Sequence, residues 1–250
     1  MGFYDIIDYM NNKKKKNNHN ILVPAKELPL MPHKKDWRHS QHWRIFRIMA
    51  EFVDGFQFLA DFKKTVTFFG SARFKPGTKW YEEARKLARL LSKSGYAVIT
   101  GGGPGIMEAA NRGAVEGKKG DSIGLNIQLP YEQRVNPYVK KGTGFHYFFT
   151  RKVMLSYSAE AYVFSPGGYG TLDEVFELLT LVQTKKIYEK IPVVLLGKEY
   201  WSGLIKWMES IVLNKFKAID PDDLKLFKLA DTAEEAFQYI IKNARPRAEI

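Results

Sequence analysis

Between Val66 and Ile241, short apolar runs alternate with longer stretches whose apolar positions recur at helical spacing. Val66–Phe69, Tyr96–Ile99, Ser122–Leu129, Phe145–Phe149, Ala161–Phe164 and Pro192–Leu196 are predicted strands. Tyr81–Leu91, Ile106–Val115, Arg151–Ser158, Leu172–Val182, Tyr200–Leu213 and Ala233–Ile241 are predicted helices. Upstream, Trp43, Phe46, Ile48, Met49, Phe52, Val53, Phe56 and Leu59 trace an amphipathic helix running to Phe62, weakened but not forbidden by Gly55. Strands apolar on both faces, alternating with amphipathic helices, predict a parallel sheet covered on both sides. The expected fold is α/β: a three-layer, doubly wound, mostly parallel sheet, Rossmann-like, with an added N-terminal helix. Residues 1–40 are expected to form a basic, disordered tail and residues 41–250 one nucleotide-binding catalytic domain.

Composition narrows the chemistry. The chain has no cysteine, which excludes disulfides, thiolate metal sites and a cysteine nucleophile. Its five histidines do not cluster at ligand spacing, so no metal site is predicted. No apolar run approaches the ~20 residues that span a bilayer, and the N-terminus lacks the order of a signal peptide. A soluble, cytoplasmic protein without a membrane partner is expected. The net charge of +12 attracts anions over a long range. Lys13–Lys16 lie in an asparagine-rich segment that reads as a solvated tail. No basic run carries the interleaved aromatics of a base-stacking surface, and nucleic acid is not predicted as the partner.

In a doubly wound sheet, ligands bind outside the carboxyl ends of the strands. Three glycine-bearing turns are predicted there: Gly70-Ser71, Gly101 to Gly105, and Gly167 to Thr171. The last belongs to Ser165-Pro166-Gly167-Gly168-Tyr169-Gly170-Thr171-Leu172-Asp173-Glu174, in which a strand feeds a turn that opens a helix. Such a turn points backbone N–H groups at an anion, and the helix N-terminus adds partial positive charge. The same residues also suit a plain turn in which Thr171-x-x-Glu174 forms a capping box. Gly101-Gly102-Gly103-Pro104-Gly105-Ile106-Met107-Glu108 is neither a dinucleotide fingerprint nor a P-loop. It serves either a ligand or close helix packing. If Thr150 caps the helix after it, Arg151 and Lys152 occupy the first turn, where cations are disfavoured unless an anion or a carboxylate offsets them. His146 carries no comparable signal.

Taken together, these residues resemble the LONELY GUY (LOG) family of cytokinin-activating nucleoside monophosphate phosphoribohydrolases, often mislabelled lysine decarboxylases. The likeness covers roughly residues 50–243. Pro166-Gly167-Gly168-Tyr169-Gly170-Thr171-Leu172-Asp173-Glu174 fits the family pattern P-G-G-x-G-T-x-x-E, and Arg151-Lys152 precedes it at the family spacing. Gly70-Ser71-Ala72-Arg73 and Gly101 to Ala110 match the other nucleotide-site turns of the longer members.

The resemblance implies hydrolysis of the N-glycosidic bond of a purine nucleoside 5′-monophosphate, AMP-like or N6-modified, with no cofactor. It makes Arg151 and Glu174 the catalytic pair, gives the phosphate to Gly168, Gly170 and Thr171, and makes Gly167 a substrate contact. Ser71, Gly102, Gly103, Met107, Glu132 and Lys152 are the further substrate contacts, and a homodimer is implied. The alternative on the same scaffold is a non-catalytic nucleotide or molybdenum-cofactor carrier. Pyridoxal phosphate would need a Schiff-base lysine, and no lysine stands out for that role.

Overall fold

The computed structural model describes residues 41–128, 135–157, 159–187 and 191–245. Helix α1 (Gln41–Ala60) leads into β1 (Thr65–Phe69), α2 (Lys79–Lys93), β2 (Ala97–Thr100), α3 (Ile106–Gly117), β3 (Ser122–Ile127) and β4 (Lys141–Phe145). There follow α4 (Phe148–Tyr157), β5 (Tyr162–Phe164), α5 (Tyr169–Gln183), β6 (Val193–Leu196), α6 (Lys198–Trp207), β7 (Lys228–Ala230) and α7 (Ala233–Asn243). The strands form one sheet in the order β4-β3-β2-β1-β5-β6-β7, and every pairing is parallel.

The doubly apolar strands explain the layering. All five residues of β1 are buried, and they alternate between two cores. Val66 and Phe68 pack with Leu87 and Leu91 of α2, Ala110 and Ala114 of α3, and Ile240 of α7. On the opposite face, Phe69, Ile99 and Leu125 join Leu59 of α1, Met154 of α4, Val175 of α5 and Trp201 of α6. The sheet is therefore sandwiched between two helical layers, as expected. Its strand order reverses between β1 and β5, and at such a switch point the helices diverge to opposite faces and open a crevice.

Several boundaries differ from expectation. The predicted strand Phe145–Phe149 is not formed: β4 lies upstream, with Ile123 opposite Lys141 and Ile127 opposite Phe145. As an edge strand whose first four residues are exposed or only partly buried, Lys-Gly-Thr-Gly-Phe has no apolar run to reveal it. Phe148 and Phe149 instead begin α4. The predicted helix Tyr200–Leu213 divides into α6 and a π-helical stretch, Met208–Lys215. Edge strand β7 has three residues and no sequence signal. The predicted tail, Leu129, Pro130, Glu132 and Ser158 lie outside the described residues. Among those described, no helix is long and apolar enough to cross a membrane.

Candidate active site

The three glycine-bearing turns meet at the switch point. Ser71 N donates to Pro166 O at 3.0 Å, Ile106 N donates to Ser71 O at 3.0 Å, and Ser165 N donates to Phe69 O at 2.9 Å. Gly105 has φ 71°, and a Cβ there would overlap the Ser71 carbonyl, so only glycine permits this approach. A cleft of about 680 Å³ opens above them, within the range of small-molecule sites. Ser71, Met107, Arg151, Gly167, Gly168, Gly170, Thr171 and Glu174 line it.

Gly102, Gly103 and Lys152 do not line it. Gly102 and Gly103 give their carbonyls to Asn136 Nδ2 at 3.2 and 2.9 Å and thus build the turn behind the cleft. Lys152 Nζ sits 2.7 Å from Asp173 Oδ2 and 2.7 Å from Glu177 Oε2.

The start of α5 rules out the capping box. Gly168 is the N-cap, has extended backbone and makes no side-chain cap. The helix begins at Tyr169 rather than Leu172, so Thr171 and Glu174 form no capping box. Thr171 N and Leu172 N donate to Gly168 O at 3.0 and 3.1 Å, whereas the amides of Tyr169 and Gly170 precede any possible helical acceptor. The glycines divide by role. A Cβ at Gly167 would overlap Thr171 Oγ1, so Gly167 is needed for packing. A Cβ at Gly168 or Gly170 would meet nothing within 4 Å, and neither residue has a positive φ. Nothing in the chain itself requires glycine at those two positions.

One turn further along α5, Glu174 is buried, and its Oε2 has no hydrogen-bond partner among the described residues. Burial raises its carboxyl to about pKa 7; Lys152 and Arg151 act to lower it, Glu177 and Asp173 to raise it. Arg151 comes from α4. Its Nε donates to Leu125 O at 2.9 Å, and its guanidinium stands where a side chain at Gly101 would be. Burial pushes the Arg151 pKa down while the Glu174 charge pulls it back.

Thr150 does not cap α4, because the helix already starts at Phe148. That role falls to Glu51 of α1, which accepts from His146 N at 2.8 Å and Tyr147 N at 3.2 Å. Thr150 Oγ1 lies 2.6 Å from Glu51 Oε2. Sequence reasoning missed this cap, a pairing almost a hundred residues apart. It also missed Phe148 and Tyr200, which line the cleft, and placed Arg73, which lines it too, in a nucleotide-site turn without naming it a contact. Tyr200 donates its hydroxyl to Gly167 O at 2.6 Å and pins the turn from α6. Arg73 had a signal, since it closes the Gly-Ser-Ala-Arg turn; Tyr200 had none.

A family profile described as "Possible lysine decarboxylase" matches residues 107–240, more than half of the chain. The chain belongs to this family, the LOG family. A probable cytokinin riboside 5′-monophosphate phosphoribohydrolase of Oryza sativa subsp. japonica is 30% identical over 180 residues, covering 70% of each chain. A cytokinin riboside 5′-monophosphate phosphoribohydrolase of Rhodococcoides fascians is 26% identical over 156 residues, covering 61% of this chain and 78% of that one. The molybdenum cofactor carrier protein of Chlamydomonas reinhardtii shares the fold, with a TM-score of 0.54 at 23% identity over 72% of this chain and 97% of that one.

The decarboxylase description of this LOG family member finds no support in the cleft. No lysine lines it among the described residues. Lys152, which follows Arg151 in the chain, is raised to about pKa 12: burial opposes the charge, but Asp173 and Glu177 outweigh it. An amine held protonated between two carboxylates is unsuited to forming a Schiff base. The residues do not fit pyridoxal phosphate.

Proposed function

We propose that the cleft binds a purine nucleoside 5′-monophosphate and hydrolyses its N-glycosidic bond, giving free base and ribose 5-phosphate. The observation that carries this reading is the buried carboxylate of Glu174, whose Oε2 has no hydrogen-bond partner among the described residues, one turn beyond an uncapped helix N-terminus. The phosphate takes the amides of Tyr169 and Gly170, in the open space before Gly168 and Gly170. One helical turn is about 5.4 Å, comparable to the span from a 5′-phosphate to the anomeric carbon. Glu174 then faces the sugar.

In the reaction the C1′–N bond breaks with its electron pair going to the base, and the ribose gains oxocarbenium character. Ionised Glu174 stabilises that charge and takes a proton from the water that adds to C1′. Glu174 then passes that proton to the base nitrogen, so that the base leaves neutral and the carboxylate is regenerated. Arg151 orients Glu174 and binds ribose or phosphate oxygens as a fixed fork. Phosphate binding remote from the reacting bond supplies energy to hold the sugar against the carboxylate. The relatives' names point to N6-modified adenine nucleotides as the first substrates to test.

Incubation with AMP and with isopentenyladenosine monophosphate, followed by chromatography for free base, tests the reading. Tight binding without base release would favour the carrier, which needs the glycine turns but not Glu174. Arg151→Lys provides a second test, because a point charge cannot replace the fork. Nearly full turnover in that variant would remove Arg151 from its role.

The same reading includes a homodimer. Phe46, Met49, Val53 and Phe56 of α1 and Phe149 and Val153 of α4 are exposed by 37–60%. Phe56 meets Tyr157 of α4 edge-on at 5.0 Å, which links the two helices into one face. Six half-exposed residues of this size present roughly 500–700 Å², close to the ~800 Å² that each partner buries in a standard interface. Light scattering should give twice the mass of the chain, and Val53→Glu should return a monomer.

A further inference from the structure

Lys152 follows Arg151 on α4 but does not line the cleft. Its ammonium lies 2.7 Å from Asp173 Oδ2 and 2.7 Å from Glu177 Oε2, with the lysine side chain only 16% exposed. Asp173 and Glu177 are four residues apart and share a face of α5. Glu174 stands on the same turn, between them in the chain. The lysine thus bridges the helix that carries Arg151 and the helix that carries Glu174. The charged groups acting on Glu174 are Lys152 and Arg151 from α4 and Asp173 and Glu177 from its own helix. With Lys152 removed, Arg151 alone would face three carboxylates.

We propose that Lys152 is a positioning residue: clamped by Asp173 and Glu177, it fixes α5 against α4 and offsets the flanking carboxylates, so that Glu174 can ionise beside the sugar. This departs from the substrate contact that the family resemblance implies for Lys152, and it deepens the hydrolase reading above, on which it rests. The arrangement is electrostatically consistent: Lys152 is held charged, and it lowers a carboxyl that burial alone would push higher still.

The test compares Lys152→Gln and Lys152→Arg with the natural protein, following base release from AMP across pH. In Lys152→Gln the acid limb of kcat should move up by about one pH unit, giving about tenfold loss on that limb and recovery near pH 9, with KM changed by less than about threefold. Lys152→Arg keeps the charge and should restore the limb. Lys152→Met, which keeps the apolar length of the side chain without its charge, should move the limb up as Lys152→Gln does and keeps the test available if Lys152→Gln does not fold. An unmoved limb in Lys152→Gln with intact kcat and a large rise in KM would make Lys152 a substrate contact and overturn the proposal. If the natural protein releases no base at all, the hydrolase reading fails separately. Direct titration of Glu174 by carboxyl carbon NMR then decides the role of Lys152: an upward move in Lys152→Gln supports it, and no move overturns it.

Discussion

The guanidinium of Arg151 occupies the volume in which residue 101 would carry a side chain: a Cβ built on Gly101 overlaps Nη2 and lies 3.4 Å from Cζ. The glycine at the end of β2 thus makes room for a functional group from α4, across the carboxyl ends of β2 and β3. Gly101→Ala should displace Arg151 while leaving the sheet intact. A displacement on the order of 1 Å costs about a hundredfold in turnover. Steady-state kinetics should show that loss, with a melting temperature close to that of the natural protein. Normal kcat in the variant would show that Arg151 need not stand there.

Glu174 gives a prediction in which stability and activity move in opposite directions. Its folded-state pKa of about 7 exceeds the ordinary 4.5. Between those values the native protein holds a proton that the unfolded chain has released, so stability falls as pH rises through the window and stays low above it. Glu174→Gln removes this penalty. The variant should be more stable than the natural protein at pH 8, by up to about 3 kcal/mol, and little changed at pH 4. Its base release should be abolished. Thermal melts at the two pH values check the first expectation; a melting difference that ignored pH would contradict it. In the natural protein, kcat should rise with pH through a midpoint near 7, as Glu174 ionises.

Gly170 separates a folding requirement from a ligand requirement. A Cβ there meets nothing within 4 Å, and the residue lies in the first turn of α5. Gly170→Ala should leave stability unchanged or raise it by up to about 1 kcal/mol. The added methyl should nonetheless crowd the phosphate, and calorimetric titration with AMP should show at least about tenfold weaker binding, equivalent to 1.4 kcal/mol. Undiminished affinity would place the phosphate elsewhere.

Glu51 acts at a distance from the chemistry. It caps α4 from α1 through His146 N, Tyr147 N and Thr150 Oγ1. Glu51→Ala should cost about 1–2 kcal/mol, the usual range for losing a cap. Denaturant titration should show that loss, and Glu51→Gln, which keeps an acceptor, should recover part of it. Equal loss in both variants would mean that the charge, rather than the cap, is what α4 needs.

The layered α/β fold was legible because it rests on local signals. Val66–Phe69 and Pro192–Leu196 are short, largely apolar and rich in β-branched or aromatic residues, as a buried parallel strand requires. The stripe of Ala84, Leu87, Ala88 and Leu91 needs no partner to be recognised as one side of a helix. Edge strands β4 and β7 escaped the same reading, since exposure on their outer side relaxes the demand for apolar residues. The gathering of Gly70-Ser71, Gly101 and Gly167–Thr171 at one crevice was also legible, from topology alone.

What the chain determined by itself was therefore the layers, the crevice and the candidate groups for it, Arg151 and Glu174 among them. Tertiary structure decided what those groups can do. Whether Glu174 caps its own helix or is buried with an unmet oxygen depends on where α5 begins and on what packs over it. Whether Lys152 reaches a substrate or two carboxylates depends on the neighbouring helix. That Tyr200 and Glu51 support the site at all depends on contacts between segments far apart in sequence. Periodicity and turn chemistry are carried by adjacent residues, whereas desolvation and charge pairing arise only when distant residues meet in space.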